Sequence, residues 1–181
     1  MRIYLILLYG LMTGIVGCNS SQIATVYDGK QEKKMAGKKM DYRERLIQRI
    51  SLKGDINDLN VPRPLVTLEE FFEGNNDYGS IGYNFYPDQP SPAEFYQVFK
   101  TIREKPGVSD IRVEVKDLED PNGWPATDTV WIITNASPED IRQWLGERFK
   151  PDEVIEGFPE KPVIESYEIP HGFKALGVWW D

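Results

Sequence analysis

Apolar residues follow three regimes along the chain. Ile3 to Met12 (IYLILLYGLM) is an unbroken apolar run behind Met1-Arg2, and Thr13-Gly14 loosens the chain before Ile15-Val16-Gly17-Cys18. Asn19 to Asn60 is polar and carries one amphipathic stretch, Asp41 to Leu52, in which Tyr42, Leu46 and Ile50 fall at i, i+4 and i+8. That spacing predicts a short helix, able to sit on the domain, on a bilayer, or frayed. Pro62 and Pro64 then close the segment as a stiff spacer. From Val61 to Asp181 the pattern is that of a folded domain.

Within the domain, Thr67-Leu-Glu-Glu70 has the form of a capping box and predicts one or two helical turns that stop at Gly74. Ser80 to Tyr86 reads as a strand, with Ile81, Tyr83 and Phe85 on one face. Ser91-Pro-Ala-Glu94 opens a helix whose buried face is Phe95, Val98, Phe99 and Ile102, and Pro106-Gly107 ends it. Asp110 to Asp117 alternates as a half-exposed strand, and Asp128 to Thr134 (DTVWIIT) is apolar enough to be central. Ser137-Pro-Glu-Asp140 repeats the helix start, and Ile141, Trp144, Leu145 and Phe149 repeat the face. Val154-Ile155 marks a short strand inside an irregular Pro151 to Pro170 stretch, and Ala175 to Trp180 a last one. The element order resembles a ferredoxin-like βαββαβ fold, in the α+β class. It implies a four-stranded antiparallel sheet with both helices on one face. The alternative is an unrelated α+β sandwich with the same order.

Charge divides the chain in the same place as the pattern. Asn19 to Asn60 carries nine basic and six acidic residues, whereas Val61 to Asp181 carries eleven basic and twenty-three acidic, against a whole-chain charge of −8. This asymmetry predicts a flexible basic leash, residues 18–60, ahead of an acidic α+β domain, residues 61–181. Beside a membrane, the leash would be drawn to anionic headgroups and the domain pushed away. The bland reading is a solvated linker. Acidity also argues against nucleic acid, although Tyr83, Trp131 and Trp179 sit where a ferredoxin-like sheet would stack bases.

The residues offer little chemistry. One cysteine and one histidine in 181 residues exclude an internal disulfide and the common zinc sets. His171 lies in a turn signal with no nucleophile elbow elsewhere, so no catalytic residue, metal or cofactor is assigned. Carboxylates are plentiful, and Glu69, Glu70 and Asp77 are the best set for a hydrolase of cell-envelope glycan. The loop Leu118 to Pro125 presents Trp124 beside Glu119 and Asp120. Trp179 and Trp180 are adjacent on a strand, so they face opposite sides: one can join the core, while the other meets solvent, the leash, the Pro151 to Pro170 segment or a partner.

The first eighteen residues resemble the signal peptide and lipobox of bacterial lipoproteins: one arginine, an apolar run, the small residue Gly17, then Cys18. The apolar stretch is 15 residues, residues 3–17, short of the roughly 20 a spanning helix needs. The resemblance implies removal of residues 1–17 by cleavage between Gly17 and Cys18, and acyl chains, diacylglycerol and palmitate, on Cys18. Asn19 in place of an aspartate implies the outer membrane in a Gram-negative host. Val66 to Asn75 (VTLEEFFEGN), Gly79 to Gly82 and Val178 to Asp181 look like small uncharacterised bacterial proteins, a resemblance that carries no site residue. The expected function is a non-enzymatic, lipid-anchored, extracytoplasmic protein that binds a protein partner of basic character, as immunity proteins do. The proposed partner surface is Trp124, Trp179, Trp180, Glu119 and Asp120. The alternatives are the glycan hydrolase or a purely structural envelope lipoprotein.

Overall fold

A computed structural model describes residues 40–85, 87–159 and 164–180, all inside one compact unit spanning Lys39–Asp181. The apolar leader, Cys18 and most of the expected leash lie outside the described residues. Among the described residues no helix is long and apolar enough to cross a membrane.

The first element is the amphipathic stretch of the leash. Asp41 accepts the Glu44 N–H at 2.7 Å and Glu44 reaches back to the Asp41 N–H, so α1 runs Tyr42–Ile50. Leu46 and Ile50 are buried in the main core. Helix α1 is therefore part of the folded unit, and the domain edge expected at residue 60 falls before α1.

Then come β1 (Leu65–Thr67), α2 (Leu68–Phe72), α3 (Pro92–Arg103), β2 (Val108–Glu114) and β3 (Thr129–Thr134). Helix α4 (Pro138–Leu145) and strands β4 (Glu153–Glu156) and β5 (Lys174–Trp179) complete the order. Each helix opens on a reciprocal cap: Thr67 with Glu70, Ser91 with Glu94, Ser137 with Asp140.

The sheet has five strands in the order β1-β2-β3-β5-β4, every neighbouring pair antiparallel. The α+β class stands, while the four-stranded ferredoxin-like sheet is corrected. Leu65–Thr67, masked in the sequence by flanking prolines and a helix cap, pairs with β2 from Leu65↔Glu114 to Thr67↔Arg112. Residues 80–85, expected as a strand, form two 3-10 turns, Tyr78–Ser80 and Tyr83–Phe85. Gly82 forces the break: its φ is +69°, and a Cβ there would sit 2.8 Å from Phe95 Cζ. Among the described residues, the pairing of this segment is limited to an isolated parallel bridge outside the strands, Ile81 to Thr127, where the Thr127 N–H donates to the Ser80 carbonyl at 2.8 Å.

Alternation along β3 separates two cores. Val130 and Ile132 face α1 to α4 together with Phe71, Phe95, Phe99 and Trp180. Trp131 and Ile133 face the opposite side, where Ile164, Phe158 and Tyr167 from the return to β5 cover them. Trp131 lies across Gly177, its cross-strand partner, with ring atoms 2.8 to 3.1 Å from where a Cβ would be. Its indole N–H donates to the buried Glu114 carboxylate at 2.7 Å, whose other oxygen accepts from Arg63 at 2.8 Å.

Glu165, also buried, joins three segments. It accepts two bonds from Arg49 of α1, at 2.7 and 3.1 Å, and the Leu65 N–H of β1 at 3.0 Å, with Lys53 at 3.3 Å. Burial pushes this carboxyl up, but the Arg49 and Leu65 bonds and the two cations outweigh it and hold it below the usual carboxylate range.

Arg49→Ala is expected to lower stability by about 2 kcal/mol, read from urea melts, because it strips a buried carboxylate of its main donor. Folded Glu165 binds fewer protons than unfolded glutamate. Its contribution is therefore complete at neutral pH and fades as pH falls from the unfolded glutamate value through the lower folded one. Wild type should lose stability over that acidic window more steeply than Glu165→Gln. Gly177→Ala drives a methyl into the Trp131 ring, and a loss of about 1–3 kcal/mol is expected in the same melts.

Candidate functional site

The loop between β2 and β3 is closed at its base by a bridge between Asp117 and Ala126: the Ala126 N–H donates to the Asp117 carbonyl at 2.9 Å and the Lys116 N–H to the Ala126 carbonyl at 2.8 Å. Beyond it the chain turns tightly: the Asp120 side chain accepts the Asn122 N–H at 2.8 Å, and its carbonyl accepts the Gly123 N–H at 3.0 Å. Three outside groups fix this turn. Arg43 of α1 donates to the carbonyls of Gly123 and Pro121, at 2.6 and 2.5 Å. One Asp77 oxygen accepts the Trp124 N–H at 3.0 Å while the other accepts the Gly79 N–H at 2.9 Å. Asn57 exchanges bonds with the Leu118 backbone, through its N–H at 3.1 Å and its carbonyl at 3.4 Å.

Between this loop and the 3-10 turns lies an open cleft of about 540 Å³, lined by Asp77, Tyr83, Lys116, Asp117, Glu119, Asp120 and Trp124 among others. A second cleft of about 590 Å³ lies on the other side of Lys116, Asp117 and Glu119, toward Asn57, Leu59 and Arg63. Lys116 is taken by Asp128 at 2.9 Å, and that bond raises its pKa. Burial, then the charge of Glu119, pushes the Asp117 carboxyl up. Burial also pushes the Tyr83 hydroxyl up. The lining thus carries four carboxylates and one already engaged cation.

Of the residues singled out in the sequence, Trp124, Glu119 and Asp120 line this cleft, with Glu119 and Asp120 exposed and Trp124 partly buried against the core. Trp179 and Trp180 are elsewhere. Trp180 is 1% exposed, edge-on to Phe95 and Phe99, and offers no surface to a partner. Trp179 is half-buried at the end of β5, opposite Thr129 and Glu153.

The carboxylates considered for hydrolysis are dispersed. Glu69 makes a two-pronged pair with Arg103, at 2.7 and 3.1 Å, which lowers its pKa. Glu70 caps α2 through the Thr67 N–H at 2.7 Å. These two line a separate hollow with Tyr42 and Arg45, and only Asp77 reaches the cleft. His171 is exposed in a turn and lines neither cleft. Among the described residues no group of three or more His, Cys, Asp or Glu is placed to hold a metal.

Tyr83, Lys116 and Arg43 were absent from the sequence-based partner surface. In the sequence Tyr83 alternates like a strand residue, and Arg43 falls in a segment with the composition of a solvated leash. The only signal for Arg43 was its place on a helix with a clear apolar face, one residue from Tyr42 and three from Leu46.

No solved structure matches the chain. A protein of Escherichia coli K12 described as "Uncharacterized protein YfbO" is 42% identical over 138 residues, covering 76% of this chain and 97% of that protein. The model of the "Uncharacterized protein YfbO family" matches residues 41–178, from the cap of α1 into β5, and the chain belongs to that family.

Proposed function

We propose that the protein is a bacterial lipoprotein, acylated on Cys18 and facing away from the cytoplasm, whose acidic domain binds a basic protein partner without catalysing a reaction. The observation that carries the binding half is the cleft beneath the β2–β3 loop. Its lining gathers Asp77, Asp117, Glu119 and Asp120 beside Tyr83 and Trp124, and its one lysine is already engaged by Asp128. A cationic side chain entering there would meet unbalanced negative charge and aromatic faces. The Asp117 carboxyl, pushed up by burial and by Glu119, would return toward the ordinary range once a cation arrived.

The anchoring half rests on Arg2, the apolar run, Gly17 and Cys18. Asn19 favours the outer membrane where the host has one. A carboxylate hydrolase has less support, because Glu69 and Glu70 are engaged in an ion pair and a helix cap away from Asp77. A purely structural envelope role leaves the charged cleft without a purpose.

Intact-mass analysis of membrane-extracted protein beside Cys18→Ser tests the anchor. The expected wild-type mass lacks residues 1–17 and includes acyl chains, and Cys18→Ser loses both changes. An unprocessed, unlipidated wild type would overturn it. Crosslinking in the same membranes tests the cleft: Glu119→Lys with Asp120→Lys should cut partner recovery about ten-fold at low salt. Equal recovery from both proteins would remove the cleft from the reading.

A further inference from the structure

The two edges of the sheet are treated differently. The β1 edge is closed: Arg63 bridges Ile164, the Glu165 N–H bonds the Arg63 carbonyl at 2.8 Å, and the Glu165 side chain takes the Leu65 N–H. The opposite edge, β4, has no strand beside it among the described residues.

The ladder shows which groups that edge presents. The Gly157 N–H bonds the Ala175 carbonyl at 2.9 Å, and the register sets Ile155 opposite Gly177 and Glu153 opposite Trp179. Antiparallel bonds alternate, so residues 153, 155 and 157 bond inward to β5. The N–H and carbonyl groups of Val154 and Glu156 therefore point outward. Both the Asp152 and Glu153 positions meet Trp179, where the Asp152 N–H bonds the Trp179 carbonyl at 3.0 Å, which leaves this alternation intact. Ile155 is 38% exposed on this edge, and a Cβ added at Gly157 beyond it would meet open space.

Charge selects the occupant. Glu156 pairs with Lys174 at 3.0 Å, while exposed Glu153 has no cation among the described residues. Edge-to-edge pairing of two copies would bring four strand glutamates together, so self-association is opposed. We infer that β4 is a second docking surface, which accepts an extended basic segment of a partner protein as a sixth strand. Its backbone would bond Val154 and Glu156, a lysine or arginine would pair with Glu153, and an apolar side chain would cover Ile155. This inference rests on the reading of the partner as basic, and it places that partner on an edge separate from the β2–β3 cleft.

The test uses the full-length protein in detergent and a fluorescent peptide of alternating lysine and threonine, with a glutamate-threonine peptide as control. Binding is read by anisotropy, and its location by amide hydrogen exchange. The lysine peptide is expected to bind and to slow exchange at Val154 and Glu156. Glu153→Lys, which breaks no bond of the fold, should weaken binding about ten-fold. Glu156→Pro, which removes an outward N–H and spares the backbone bonds to β5 while giving up only the exposed Lys174 pair, should abolish the protection. If Glu156→Pro fails to fold, Glu153→Lys carries the test alone. Unchanged affinity in Glu153→Lys, or no binding of the lysine peptide at millimolar concentration, overturns the edge. Protection confined to residues 117–124 also overturns it, while leaving the cleft and the basic-partner reading in place.

Discussion

The bonds made by Glu165 hold together parts of the chain that are otherwise independent. One carboxylate receives Arg49 from the first helix, the N–H of Leu65 from the edge strand, and Lys53 from the turn between them. Helix α1, strand β1 and the segment over the second face of the sheet thus share a single acceptor. A lone buried carboxylate would be costly, so the three segments are linked: removing one leaves the others facing an under-solvated charge. The same helix reaches the candidate cleft through Arg43, which holds the carbonyls at the tip of the β2–β3 loop. The geometry of the cleft therefore depends on docking of α1.

This arrangement changes the meaning of the charge asymmetry. A basic segment ahead of an acidic domain reads naturally as tether and globule. Arg43, Arg49 and Lys53 instead belong to the fold and spend their charge inside it. Of the other basic residues of the leash, Arg45 lies over the Tyr42 ring within α1, and Lys30 to Lys39 precede that helix. Among the described residues, no ion pair engages Asp117, Glu119 or Asp120 of the β2–β3 loop.

Much of the fold was legible where one physical signal acted alone. The paired Ser-Pro-x-acidic starts produced α3 and α4, because cap, proline and N3 carboxylate act within four residues. The apolar run through Trp131 produced the central strand, since a strand buried on both faces has no alternation to hide. Failure came where tertiary contacts decide. Ile81, Tyr83 and Phe85 alternate like a strand, but Gly82 must pass under the Phe95 ring. Three residues of β1 sit between prolines and a helix cap, too few to show a period, and are held by β2 and Glu165. In the cleft, Trp124, Glu119 and Asp120 were visible as an aromatic among acids. Tyr83 lines it and Arg43 holds its loop from distant sequence, and the local patterns around them, a strand-like alternation and a helix face, do not point to the cleft.

The span of the Arg49–Glu165 contact has a consequence in time as well as in energy. The two residues are separated by most of the folded unit, and the Leu65 N–H waits on the same carboxylate. During synthesis from the N-terminus, α1 and β1 emerge long before the residue that secures them. The chain therefore stays open at its N-terminal end until nearly all of it has been made. Such a delay suits a protein whose leader, on the reading proposed above, would have to engage an export channel before the domain behind it closes.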